Sequence, residues 1–150
     1  MKIIPICPES FASNTYALIS SGHALIVDPS ISVDAIKKTT ENENAVIEGI
    51  LLTHGHFDHV LSMDELRRSE NVKVYIHEKD SELLSDGRKN AFYDLFKRER
   101  AFGEADAPGK TQLRCHCSRM RTGIRPESLT RLTMRLTVSL APRPLFVVPV

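Results

Sequence analysis

Thr53 to His59 reads Thr-His-Gly-His-Phe-Asp-His, so the six residues from His54 to His59 supply three imidazoles and one carboxylate. Imidazole nitrogen and carboxylate oxygen are the ligand atoms of catalytic zinc. A lone histidine is more often a surface or satisfied core residue. Burying three of them with an aspartate and no metal would leave costly polar groups. The spacing sorts the four into pairs. His54 and His56 stand two apart at the end of an extended run, so their side chains project to one side. Asp58 and His59 follow a turn and can face a second point. That grouping suits two metals, which about 3.5 to 4 Å apart can clamp the oxygens of a hydrolytic transition state. Zinc lowers the pKa of bound water to about 7, which makes hydroxide available at neutral pH. Gly55 is expected to let the backbone turn tightly between ligands.

A buried strand must deliver this motif. Val46 to Leu52 is apolar except for Glu48-Gly49, and Ile50-Leu51-Leu52 shows no alternation, as expected for a strand covered on both faces. The motif then falls past the carboxyl end of a strand, where α/β sheets bind ligands. Upstream, Ile3–Ile6, 14–19 and 23–27 read as strands, the last two joined by a Ser20-Ser21-Gly22 hairpin turn and ended by Asp28-Pro29-Ser30. Ser32 is a plausible cap for a helix through Val33, Ile36 and Lys37 that fades in the polar Thr39–Asn44 stretch. Downstream, Ser62-x-x-Glu65 matches a capping box for a helix through Arg68. Val72–Ile76 alternates as a strand, and 81–85 and 91–100 read as helices, the second with Phe92, Leu95 and Phe96 on one face. Residues 1 to 100 are thus a hairpin sheet followed by strand and helix alternation, an α/β (α+β) class.

Composition excludes several functions. Apolar residues at 41% and charged ones at 26% are ordinary for a globular chain of 150 residues, and the net charge of +1 gives no general field for nucleic acid or anionic lipid. No apolar run approaches the roughly 18 residues of a membrane span. The opening segment, cut by Pro5, is too short for a signal-peptide core, so a cytoplasmic location is expected. Cys7, Cys115 and Cys117 do not make a disulfide framework.

The charge is unevenly spread. Residues 1–110 hold 13 basic and 18 acidic residues, a net of −5, whereas 111–150 hold seven Arg and one acid, a net of +6. From about residue 107 propensity, pattern and turn chemistry stop agreeing. Residues 1–106 are therefore expected to form the domain. Residues 107–150 are expected to form an irregular Arg/Pro-rich tail, translated in a shifted frame or left by a fusion, with a native basic tail as the alternative.

The pattern His54-x-His56-x-Asp58-His59 after an apolar strand resembles the signature of the metallo-β-lactamase superfamily. The segments Asn14–Ile19 and Ala24-Leu25-Ile26-Val27-Asp28-Pro29 resemble its glyoxalase II-like branch, with Ser30 where a glycine is usual, and 74–80 resembles its next strand and turn. The likeness covers roughly residues 1–105. It implies an αββα sandwich, here an incomplete N-terminal half, with His54 and His56 on one zinc ion and Asp58 and His59 on a second. It implies a zinc-dependent hydrolase, similar to hydroxyacylglutathione hydrolase, that cleaves a thioester or ester of a small-molecule substrate by a zinc-bound hydroxide, with Asp58 orienting that hydroxide as well as binding zinc. The family's second half adds a His in a Thr-Pro-Gly-His-like turn, a bridging Asp and a last His, and none stands in that context here. The alternative is therefore a truncated, catalytically incompetent fragment; a binding module that uses the basic tail is a third reading.

Other candidates have plainer readings. Cys115-His116-Cys117 lacks the spacing of a structural zinc site. Cys7 reads as a strand-end residue, His23 as a hairpin neighbour, His77 as a surface residue, and Lys97–Arg100 as the solvated side of the Phe92 helix, for which a lid role is also conceivable. No nucleic-acid or membrane partner is expected, and the sequence does not specify an oligomeric state.

Overall fold

The computed structural model describes residues 1–8 and 12–109. The chain divides into the units Met1–Lys110 and Thr111–Val150. Residues 110–150, with all seven arginines of the expected tail and Cys115-His116-Cys117, lie outside the described residues, whereas 107–109, placed by the sequence reading in that irregular tail, form a strand.

Six strands form one sheet in chain order: β1 (Lys2–Ile6), β2 (Thr15–Ser20), β3 (His23–Val27), β4 (Val46–Leu51), β5 (Lys73–His77) and β6 (Ala107–Gly109). β1, β2 and β3 are antiparallel neighbours, and β3 to β6 run parallel. The expected β2–β3 hairpin forms. Ser20 pairs with His23, and Ser21 and Gly22 take φ of 52° and 80°, the pair of left-handed conformations a tight two-residue turn needs. The parallel half requires crossovers, supplied by α1 (Val33–Asn42) between β3 and β4, and by α2 (Phe57–Val60) with α3 (Met63–Glu70) between β4 and β5. After β5 come two short helices, α4 (Ser81–Ser85) and α5 (Phe92–Phe96).

Register decides which face is buried. Ala17, Ile26, Ile50 and Val74 are successive cross-strand partners, and all are inaccessible to solvent together with Ile36 of α1 and Leu66 of α3. Tyr16, Val27, Leu51 and Tyr75 pair across the opposite face. The expectation that β4 is covered on both faces holds for its second half, where Gly49 to Leu52 are buried; its start does not conform, since Val46 is 67% exposed. At Gly49 an added Cβ would lie 3.1 Å from Leu25 and 3.3 Å from Tyr75, so these two side chains occupy the space a larger residue would need.

Several helices depart from the sequence expectation. α1 continues through the polar stretch to Asn42 because the Thr39 and Thr40 hydroxyls bond back to the carbonyls of Ala35 and Lys37, at 2.8 and 3.0 Å. The Ser32 cap is present, with Ala35 N donating to its Oγ. The capping box at Ser62 is not formed: its side chain caps nothing, and its N–H donates to Pro29 O at 2.9 Å. α3 runs on to Glu70 and ends at Asn71 in the left-handed conformation. The helix expected over 91–100 shrinks to Phe92–Phe96, because Ala91 and Lys97 on either side take φ of 67° and 54°. Of its expected apolar face only Phe92 is buried; Leu95 is 58% exposed. Among the described residues no helix is long and apolar enough to cross a membrane.

Candidate metal centre

Parallel pairing of β3 with β4 brings two strand ends together. Val27 pairs with Leu51, so Asp28 lies beside the residues that follow β4, and its N–H donates to Leu51 O at 3.1 Å. Asp28 adopts φ of 49° and is only 4% exposed. Its carboxylate accepts from Thr53 N at 2.8 Å, Thr53 Oγ1 at 2.6 Å and His59 Nδ1 at 2.9 Å. One buried anion thereby fixes both ends of the His54–His59 segment.

The network assigns tautomers. Thr53 Oγ1 has one proton and donates it to Asp28, so across its 3.1 Å contact with His54 Nδ1 it accepts. His54 therefore carries its proton on Nδ1, and His59 gives its own Nδ1–H to Asp28. Both rings keep Nε2 for another partner, the usual arrangement of metal-ligating histidine. The rings form one cluster: the His54 centroid lies 4.6 Å from that of His56 and 4.1 Å from that of His59. His59 Nε2 is 3.6 Å from Asp58 Oδ2, which puts an imidazole nitrogen and a carboxylate oxygen side by side. Ser13 holds that carboxylate from the other side, its Oγ donating to Asp58 Oδ2 at 2.8 Å and its N–H to Asp58 O at 3.1 Å. Behind Ser13, the Ser30 hydroxyl donates to Ser13 O, and Thr15 Oγ1 donates to Asp28 O at 2.8 Å. Ser30 thus has a task that glycine could not perform.

Burial and charge pull the histidines apart. Burial first, then the neighbouring His59 and His56, holds the His54 pKa below its ordinary value. Burial also pushes His59 down, but the Asp28 hydrogen bond and the charges of Asp28 and Asp58 outweigh it, so His59 stands above its ordinary value.

Gly55 serves closeness rather than an unusual backbone angle. A Cβ there would come within 2.6 Å of Leu83 Cβ and 3.1 Å of Asp80 O, so the segment lies directly against α4. Phe57 anchors the other side: its N–H donates to Asn90 O at 3.0 Å, and its ring meets Phe92 and Phe96 edge-on.

The donor set, three imidazoles and a carboxylate with support behind two of the rings and the carboxylate, fits a divalent cation in kind. In number it falls short: among the described residues no group of three or more His, Cys, Asp or Glu is placed to hold one ion. His77 stands apart, its Nδ1 accepting from Lys79 N, and His23 pairs with Glu48 at 2.6 Å. Cys7 is an exposed free thiol. Sequence reasoning missed Asp28, Ser13, Thr53 and Ser30 as supports. The available signal was Asp28 itself, an acid at the end of an apolar strand destined to lie beside β4.

The chain is similar to several known proteins. A probable metallo-hydrolase, YqgX, of Bacillus subtilis (strain 168) is 34% identical over 87 residues, covering 58% of this chain and 40% of that protein. A hydroxyacylglutathione hydrolase of Buchnera aphidicola subsp. Schizaphis graminum is 48% identical over 52 residues, 34% of this chain and 20% of that one. The chain spans about two fifths of the length of curated relatives such as YqgX. Among solved structures, the BLEG-1 B3 metallo-beta-lactamase superposes with a TM-score of 0.63 at 30% identity, over 70% of this chain and 51% of that one. TTHA1623, solved in a di-iron-bound form, gives a TM-score of 0.54 at 22% identity, again over 70% and 51%. The family model described as metallo-beta-lactamase superfamily matches residues 9–133. With that match over most of its length, the chain belongs to the metallo-beta-lactamase superfamily.

Proposed function

We propose that the chain is built for zinc-dependent hydrolysis of a small-molecule thioester or ester, as in hydroxyacylglutathione hydrolases. The observation that carries this reading is the pair of hydrogen bonds, Asp28–His59 and Thr53–His54, that leaves both Nε2 atoms with a lone pair. His54 and His56 would hold one zinc ion, and Asp58 and His59 the other. Bound there, zinc would act as a Lewis acid that polarises the scissile carbonyl and acidifies water. Asp58 orients the attacking water, accepting its proton while Ser13 keeps the carboxylate from turning. Asp28, buried and already accepting three hydrogen bonds, holds His59 in one tautomer. The proposed setting is cytoplasmic, with a small-molecule substrate and without nucleic acid or membrane as partner.

A second reading has a specific observation in its favour. Pairs of ligands fall short of the three protein ligands usual at catalytic zinc, so the chain would be a catalytically incompetent member that holds zinc weakly. Metal counting on purified protein at neutral pH, combined with turnover of an acyl thioester of glutathione, separates the two. Two zinc ions per chain with turnover support the first reading. Substoichiometric zinc without turnover supports the second.

A further inference from the structure

Every residue from Tyr93 to Arg100 is exposed, including Leu95 and Phe96, the latter 39% exposed. This run is tied to the histidine segment. Phe57, between His56 and Asp58, contacts Phe92 and Phe96 with centroids 5.5 and 5.7 Å away, and Phe92 and Phe96 lie 4.5 Å apart. Phe57 therefore packs the exposed run against the segment that carries the imidazoles. Asn90, fully buried, fastens it: its Nδ2 donates to Arg100 O at 2.8 Å, its Oδ1 accepts from Phe92 N, and its carbonyl accepts from Phe57 N.

Charge is concentrated on the same surface. Residues 88–100 hold five basic residues and two acidic ones, a net of +3 within a 1–110 half whose net is −5. Arg88 is paired with Glu99, and Lys89 with Glu82. Lys97, Arg98 and Arg100 have no carboxylate partner among the described residues; they lie 6.0 Å from the Tyr93 ring and 6.0 and 5.9 Å from the Phe92 ring. Cations resting on aromatic faces with no anion to neutralise them are a surface for a flat apolar group that carries negative charge.

We propose that residues 93–100 recognise the non-reacting arm of the substrate, and that this arm combines an aromatic or branched apolar group with at least one carboxylate. The proposal rests on the hydrolase reading, since it takes the histidine segment as the reacting end. The arm lies along Phe96 and Leu95, and its carboxylate meets Lys97 and Arg98.

The test is binding by the full chain in buffer containing EDTA, so that it does not depend on metal or turnover. The probe is S-benzylmercaptosuccinate, an aromatic dicarboxylate whose thioether cannot be hydrolysed. It is compared with its dimethyl ester and with the S-methyl analogue by isothermal titration and by amide chemical-shift mapping. The expected result is that both changes weaken binding at least tenfold, that Lys97→Gln/Arg98→Gln and Phe96→Ser each do the same, and that shifts centre on 92–100. These positions are exposed, and circular dichroism checks that the variants fold. Equal affinity in the variants, equal affinity for the neutral ester, no binding at all, or shifts confined to the Arg-rich residues 111–150 would overturn the proposal. Binding as expected without any thioester turnover would leave this surface established and remove the hydrolase reading instead.

Discussion

Replacing Asp28 by Asn changes one atom and should reset both supported histidines. Thr53 N–H needs an acceptor, so the amide oxygen takes the place of Oδ1 and the NH₂ group takes the place of Oδ2. That NH₂ then faces Thr53 Oγ1 and His59 Nδ1, where the carboxylate accepted at 2.6 and 2.9 Å. Thr53 becomes the acceptor there and turns its own proton toward His54 Nδ1. Both rings are driven to carry hydrogen on Nε2, the nitrogen a metal would need. Lost orientation of a ligating histidine typically costs 10- to 100-fold in metal affinity, or about 1.4 to 2.7 kcal/mol. The fold should survive, because the new hydrogen bonds match the old in number. Asp28→Ala is different in kind: it leaves the Thr53 N–H, the Thr53 O–H and the His59 N–H without an acceptor. Because Thr53 can reach water, the expected loss of stability is about 2 to 4 kcal/mol rather than a full penalty for each donor. Long-range ¹H–¹⁵N imidazole spectra report the tautomers, zinc competition with a chromophoric chelator reports affinity, and urea unfolding reports stability. If Asp28→Asn keeps His59 protonated on Nδ1 and binds zinc as the parent does, the account of this network is wrong.

Further predictions follow from the same contacts. In metal-free protein, NMR titration should place the His59 midpoint above 6.5 and that of His54 below it, and Asp28→Asn should bring His59 down. The raised His59 value stabilises the metal-free fold fully below the unfolded pKa near 6.5, and this contribution is lost as pH rises through the folded value. His54 acts oppositely, favouring the fold above 6.5 and losing that contribution as pH falls through its lowered value. Gly55→Ala should cost about 1 to 3 kcal/mol in urea unfolding, since its Cβ meets Leu83 at 2.6 Å; unchanged stability would show that α4 yields without cost. Leu66→Ala, in the core between α3 and the sheet, should cost about 2 to 5 kcal/mol by the same measurement.

The histidine motif could be read from the sequence because its ligand atoms are crowded into six residues and follow an apolar strand. Its supports could not. Asp28 and Thr53 are 25 residues apart, and Ser13 and Asp58 are 45 apart, so they meet only once β2, β3 and β4 are known to lie side by side. The hairpin was legible from Ser21-Gly22, and β5 from the alternation of Val74, Tyr75 and Ile76. α5 was misjudged in length because its ends are set by left-handed Ala91 and Lys97, residues with no preference for that conformation. Its exposure was misjudged because Asn90 and Phe57 hold Phe92 inward and leave Leu95 outside. The Glu65 half of the expected capping box is unavailable because the Ser62 amide already donates to Pro29 O.

Equilibrium dialysis of the full chain against zinc at pH 7.5, with bound metal counted by mass spectrometry, tests the central claim most directly when run beside two double variants, His54→Ala/His56→Ala and Asp58→Ala/His59→Ala. The account predicts that each double variant loses the zinc of its own pair, and that circular dichroism is unchanged in both. Zinc retained at the parent level in both variants would contradict it.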